Sequence, residues 1–214
     1  MTLAIYCAGG LGKEVIGLAR AVSRWDNIIF VDDVTETEYH ADAKVYRFEQ
    51  IKDYPDAVEF VIASGEPAGR EKLYHRIKEA GYPMTTIYGL GCSVLPGTSI
   101  GEGCILYDSL ISADVQIGPN VLLNTKVVIG HDAVICSHSV LGYNSFVGGG
   151  AVIESRSYVA PGAIIKDRIT VGADSIISMG AVVLRNVSES SIMLGNPAEK
   201  VGKNELKRVF GMFE

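Results

Sequence analysis

The chain has 214 residues, 48% of them hydrophobic, and its 19 basic and 25 acidic side chains give a formal charge of −6. That size and apolar content support one or two packed cores, and an acidic balance without a basic stripe excludes nucleic acid as the partner. The four cysteines, Cys7, Cys92, Cys104 and Cys136, have neither metal-ligand nor redox spacing and read as buried reduced thiols. The opening MTLAIYCAGG has no basic leader and no apolar run of about 18 residues, so a cytoplasmic protein without membrane insertion is expected.

In chain order, a strand is predicted over Leu3–Cys7, a glycine-rich turn, a helix over Leu11–Val22, strands over Ile28–Val31 and Phe60–Ala63, a helix over Gly69–Ala80 and a last strand near Thr85–Tyr88. Strands alternating with helices point to βαβ units around a parallel sheet. These residues, 1–90, are too few for a complete dinucleotide fold and match one mononucleotide-binding half, a small Rossmann-like domain. The turn Cys7-Ala8-Gly9-Gly10-Leu11-Gly12 lies where amides and a helix N-terminus hold phosphate, with Cys7 in the place of the first glycine of G-x-G-x-x-G. Asp32 and Asp33, at the end of the next strand, can accept from a ribose, and Ser64-Gly65-Glu66 would line the same crevice. The same residues also fit a tight packing turn with two solvated aspartates.

From about residue 91 the period changes. Counting in sixes from Ile111 meets Ile117, Leu123, Ile129, Ile135, Leu141, Val147, Ile153, Val159, Ile165, Val171, Ile177 and Val183, all aliphatic, and Val94, Ile100 and Leu106 keep the beat upstream with one residue dropped before Ile111. Four residues after most anchors the side chain is small, as at Ala133, Ser139, Ser145, Ala151, Ser157 and Ala163. Such a register marks a repeat coil, and a β-sandwich would instead alternate at period two with turns every ~8–12 residues. Over 196–214 a tail is expected, with Leu206, Val209 and Phe210 spaced for a short helix within Lys203–Phe213.

Of the four histidines, His40 in a polar loop and His75 on a helix read as surface residues. His131 follows the anchor Ile129 at an outward corner and is followed by Asp132, so an imidazole base with a carboxylate to fix its tautomer stands there. One coil of 18 residues stacks Gly149 beside it, which clears room for a thioester and leaves a main-chain N–H free for an oxyanion. A plain corner histidine satisfied by Asp132 is the alternative. His138 lies on another hexapeptide, as a contact for cofactor or substrate or as a surface residue. Only these two histidines fall in the repeats, so no metal is expected.

The segments Ile5–Gly12, Phe30–Asp33, Ile62–Gly65, Asn124-Thr125, His131-Asp132 and Gly195–Ala198 together resemble the bacterial sugar O- and N-acyltransferases, which include sialic acid O-acetyltransferases and nucleotide-linked 4-amino-sugar N-acetyltransferases. The resemblance implies an α/β Rossmann-like domain followed by an all-β left-handed parallel β-helix of hexapeptide repeats over 91–195. It implies a homotrimer with active sites between subunits, acetyl-CoA as co-substrate and a nucleotide sugar on the N-terminal domain. It also implies His131 as general base supported by Asp132, and Gly149 beside the thioester. Substrate contacts would come from Gly9, Gly10, Leu11, Gly12, Asp32, Asp33, Ser64, Gly65 and Asn124. Acetyl-CoA contacts would come from Ser178, Met179, Gly180, Asn196 and Pro197, with His138 also a candidate. Leu11 and Cys7 depart from the histidine and glycine of many members, so the sugar contacts differ. A non-nucleotide amine or hydroxyl acceptor, and a non-catalytic trimeric nucleotide-sugar-binding scaffold, remain the other readings.

Overall fold

The structure, a computed structural model, describes residues 1–210. The N-terminal domain runs β1 (Thr2–Tyr6), α1 (Gly10–Val22), β2 (Asn27–Val31), the hairpin β3 (Tyr39–His40) and β4 (Ala43–Tyr46), a 3-10 helix (Phe48–Asp53), β5 (Val58–Ile62) and α2 (Pro67–Glu79). Its sheet has the order β3-β4-β2-β1-β5, with β4, β2, β1 and β5 parallel. Strand β1 is central and wholly buried, as its unbroken Leu3-Ala4-Ile5 run requires of a sheet covered on both faces. On one face Val15, Ile16 and Ala19 of α1 pack against Leu3, Ile5 and Phe30; on the other, Ile77 of α2 meets Ala4, Tyr6, Phe60 and Ile62. The last glycine of the turn is sterically required, because a Cβ on Gly12 would lie 2.6 Å from the Cys7 carbonyl oxygen. The hairpin and the 3-10 helix are additions to the sequence expectation.

The anchors coil as a three-sided parallel β-helix. Its first face stacks Ile87–Tyr88, Ile105–Leu106, Leu122–Leu123, Val140–Leu141, Tyr158–Val159 and Ile176–Ile177. The second stacks Ser93–Val94, Leu110–Ile111, Val128–Ile129, Phe146–Val147, Ile164–Ile165 and Val182–Val183; the third runs from Ser99–Ile100 to Thr170–Val171. Every anchor from Ile111 to Val183 is buried, and the small residues fill the space beside them. The glycines after the anchors are forced by the coil above: a Cβ on Gly130 would lie 2.5 Å from the Gly149 nitrogen. The dropped residue is real, since Leu123 pairs with Leu106. At the open end the beat weakens, and Val94 is exposed.

Three expectations are corrected. Ile87–Tyr88 pairs with Ile105–Leu106 and so opens the β-helix rather than closing the N-terminal sheet. The tail forms a strand pair, Ser191–Leu194 with Glu199–Lys203, and residues 204–210 make turns and bends, not a helix; the end of the expected helix lies outside the described residues. The cysteines are unpaired, but only Cys104 is fully buried.

The two units share a core. Outward side chains of the first face, Ile105, Leu122 and Val140, join the cluster that holds Leu3, Ile5 and Phe30. The N-terminal domain therefore covers the first face. Helix α2 lies over the edge between third and first faces, where Arg70 reaches Asn120, and α1 meets the first–second edge, where the Tyr143 hydroxyl donates to Glu14 at 2.7 Å.

Candidate active site

The edge between second and third faces carries His131, Asp132 and Gly149, and it stands clear of the N-terminal domain. The His131 and Asp132 side chains are 72% and 65% exposed, and His131 Nδ1 lies 2.6 Å from Asp132 Oδ2. Asp132 makes this bond from a left-handed backbone (φ +58), the conformation that turns the corner. With Nδ1–H donated to the carboxylate, Nε2 presents its lone pair outward. Gly149 is stacked as expected: a Cβ there would sit 2.9 Å from His131 Nε2. Its N–H is not free, however. It donates to Asp167 Oδ1 at 2.9 Å, one further coil along. A cavity of about 500 Å³ is lined here by His131, Gly149, Lys166, Asp167 and Arg168. The last three escaped the sequence reading, although the 18-residue step from Gly149 to Asp167 would have found them.

A second crevice, of about 910 Å³, opens at the carboxyl edge of the N-terminal sheet between the ends of β1 and β2 and α2. Its wall includes Tyr6, Cys7, Asp32, Asp33, Lys72 and Arg76. The two aspartates are occupied. Asp32 accepts from the amides of Ala8, Val34 and Thr35, at 2.8 to 2.9 Å, and so stitches the glycine-rich turn to the end of β2. Asp33 accepts from the Tyr6 hydroxyl at 2.5 Å, Arg76 at 2.6 Å and the Phe48 amide at 3.0 Å. Burial alone would raise both carboxyls, but these hydrogen bonds outweigh it and hold them below the usual range. Burial pushes the Cys7 thiol up to about 12, so it is inert as a nucleophile.

Other expected contacts are placed elsewhere. Gly9, Gly10 and Leu11 form the N-terminus of α1, outside the crevice wall, with the Gly9 carbonyl 3.0 Å from His40 Nε2; His40 is thus tied to the turn rather than free in a loop. Ser64 turns back, its hydroxyl accepting the Glu66 amide and its carbonyl accepting from Arg70. Gly65 faces Phe210 of the tail, whose amide, with that of Val209, donates to Glu66. Asn124 and Ser178–Gly180 lie on the first–second edge, and Asn196-Pro197 at the top of the coil, so no single chain brings these together with His131.

His138 is corrected most sharply. It is only 6% exposed, on the third–first edge beneath α2, with Tyr74 edge-on at 5.2 Å. Glu71, His75 and His138 bring three potential metal ligands within 4.8 Å of one another, two of them from α2 of the other domain. Their hydrogen bonding argues against a metal. Arg70 Nη2 donates to Asn120 Oδ1, which fixes the amide so that Asn120 Nδ2 faces His138 Nδ1 at 3.0 Å. That nitrogen is an occupied acceptor, and the other then carries the proton.

Comparison with known proteins divides the chain as the fold does. The PglD N-terminal domain family matches residues 2–77, and the bacterial transferase hexapeptide family, six repeats, matches residues 114–149. Among curated proteins none matches. A histidine variant of perosamine N-acetyltransferase from Caulobacter crescentus, solved with CoA and GDP-perosamine, is 26% identical, with a TM-score of 0.88 over 95% of this chain and 98% of that one. WeeI from Acinetobacter baumannii AYE is also 26% identical, with a TM-score of 0.87 over 94% of this chain and 100% of that one. The acetyltransferase domain of PglB from Neisseria gonorrhoeae, 19% identical with a TM-score of 0.74 over 94% and 99%, shares the fold. The hexapeptide repeats and the likeness to these solved enzymes give the class, a left-handed β-helix acetyltransferase. The chain thus resembles a PglD-type N-terminal domain over 2–77 and a hexapeptide-repeat transferase over 114–149. Among the described residues no helix is long and apolar enough to cross a membrane.

Proposed function

We propose that the chain transfers the acetyl group of acetyl-CoA to an amino group on a nucleotide-activated sugar, with His131 as the general base. The observation that carries the reading is the stack of His131 Nε2 on Gly149, with Asp132 at 2.6 Å holding Nδ1. Amine nitrogen attacks the thioester carbon, Nε2 takes the amine proton, the C–S bond breaks and CoA leaves as the thiolate, which is then protonated. The nucleotide lies in the crevice at the carboxyl edge of the N-terminal sheet, where Lys72 supplies positive charge for phosphate. Similarity to the perosamine enzyme supports an amine as acceptor.

The working unit is a homotrimer. Beyond Ser93 in its first strand, the outward side chains of the second face, Leu110, Val128, Phe146, Ile164 and Val182, are apolar, and Leu110, Phe146 and Ile164 are exposed. A cyclic trimer burying that face sets the first–second edge of one subunit beside the second–third edge of the next. This unites Asn124, Ser178–Gly180 and the glycine-rich turn of one chain with His131 and Gly149 of its neighbour, which supports their assignment to substrate and acetyl-CoA.

Thermal-shift titration with acetyl-CoA and with nucleotide sugars carrying UDP, GDP or TDP tests the reading, since ligands of the native state raise the melting temperature. Stabilisation by acetyl-CoA and one amino sugar, with turnover abolished by His131→Ala, is expected. Nucleotide-sugar binding without CoA binding would make the chain a scaffold.

A further inference from the structure

The Gly149 amide points at a carboxylate of its own chain. Its N–H donates to Asp167 Oδ1 at 2.9 Å, and this oxygen lies so close over the corner that a Cβ on Gly148 would come within 2.3 Å of it. Asp167 is exposed and lines the same cavity as His131. The Gly149 N–H, on the backbone stacked against the His131 imidazole, is the donor that a thioester oxygen positioned for attack would use, and in the free chain an anionic oxygen already accepts from it. We propose that Asp167 is a displaceable occupant of the oxyanion seat: its carboxylate holds the seat in the free enzyme and must swing aside before the acetyl carbonyl can enter. This rests on the acetyl-CoA reading above.

Electrostatics requires the movement. An oxyanion that develops on the thioester cannot share one N–H with a carboxylate at hydrogen-bond distance, because like charges in contact raise the energy of both. The cations to receive the displaced group are at hand, since Lys166 and Arg168 flank Asp167 and line the same cavity. The arrangement has a selective consequence. Only a ligand with a carbonyl oxygen competes with Asp167, so the acetyl-enzyme contact is weakened in acetyl-CoA and untouched in free CoA. Asp167 is therefore a positioning residue that narrows the preference of the site for acetyl-CoA over its own product.

Dissociation constants of acetyl-CoA and of CoA, measured by calorimetry on the intact chain and on Asp167→Ala and Asp167→Asn, test this. In the alanine variant acetyl-CoA should bind roughly three- to tenfold tighter, the range for loss of one competing exposed hydrogen bond, while CoA is unchanged. The asparagine variant keeps the acceptor without its charge and should fall between. A ratio of acetyl-CoA to CoA affinity equal to that of the parent chain, in either variant, overturns the proposal while leaving the acetyltransferase reading intact. Weaker acetyl-CoA binding in the alanine variant overturns it too. A parent chain that binds neither ligand sinks both.

Discussion

Arg70 Nε and Nη2 donate to the main-chain and side-chain oxygens of Asn120 at 3.0 and 2.7 Å, and Asn120 Nδ2 returns a bond to the Arg70 carbonyl at 3.0 Å. Arg70 is fully buried, and its Nη1 also donates to the carbonyls of Ile62 and Ser64. Burial draws the guanidinium down to about 10, so it stays charged at neutral pH, held by oxygens that carry no formal charge. This joint fastens the N-terminal domain to the β-helix. Arg70→Met strands these acceptors in an apolar setting and should cost about 3 kcal/mol or more of unfolding free energy by denaturant titration.

Desolvation lowers His138 from 6.5 to about 4, while Glu71 pulls the other way and Arg70, His75 and Arg156 oppose its protonation. Between those values the unfolded chain binds the proton and the folded chain does not, so stability falls as pH drops from about 6.5 to about 4 and is fully present above. The loss should reach ~2–3 kcal/mol at the acid end of the window. In His138→Gln, denaturation midpoints measured across that window should lie flatter than in the parent.

Gly149→Ala places a methyl only 2.9 Å from His131 Nε2, closer than van der Waals contact allows. The imidazole must rotate away, and a displacement of about an ångström costs on the order of 100-fold in rate. Steady-state kinetics should show the loss in kcat. Full turnover would mean that His131 is not the base.

Phe146→Glu puts a charge in the middle of the apolar second face. Sedimentation should show a trimer for the parent and a monomer for the variant, and the monomer should be inactive, because the edge bearing Asn124 is separated from that bearing His131. A trimeric variant would move the interface to another face.

The β-helix was legible because each anchor answers to its neighbours at fixed spacing: Ile129 is buried by Ile111 and Val147, all in the same register. The His131–Asp132–Gly149 stack follows from the same arithmetic. Contacts between segments far apart in the chain were not legible. His138 has the spacing of an outward corner residue, and only α2, more than 60 positions earlier, buries it. Ser64 and Gly65 stand at the carboxyl end of β5, where ligands usually bind, but the tail at Val209 and Phe210 docks there on Glu66. The oxygens of Asp32 and Asp33 look free in sequence, and partners as remote as Arg76 fill them.

The dropped residue between Leu106 and Ile111 shows that the coil absorbs a change of length at an edge and resumes its register. Active-site alignment is therefore a matter of phase. Between His131 and Gly149, lengthening by six residues would carry the glycine round to the next edge, and lengthening by a whole coil would restore the angle but lift it out of reach of the imidazole. Upstream of His131 the same insertions leave the pair aligned. The coil can vary in height below its catalytic layer, and what it cannot vary is the single turn that the layer occupies.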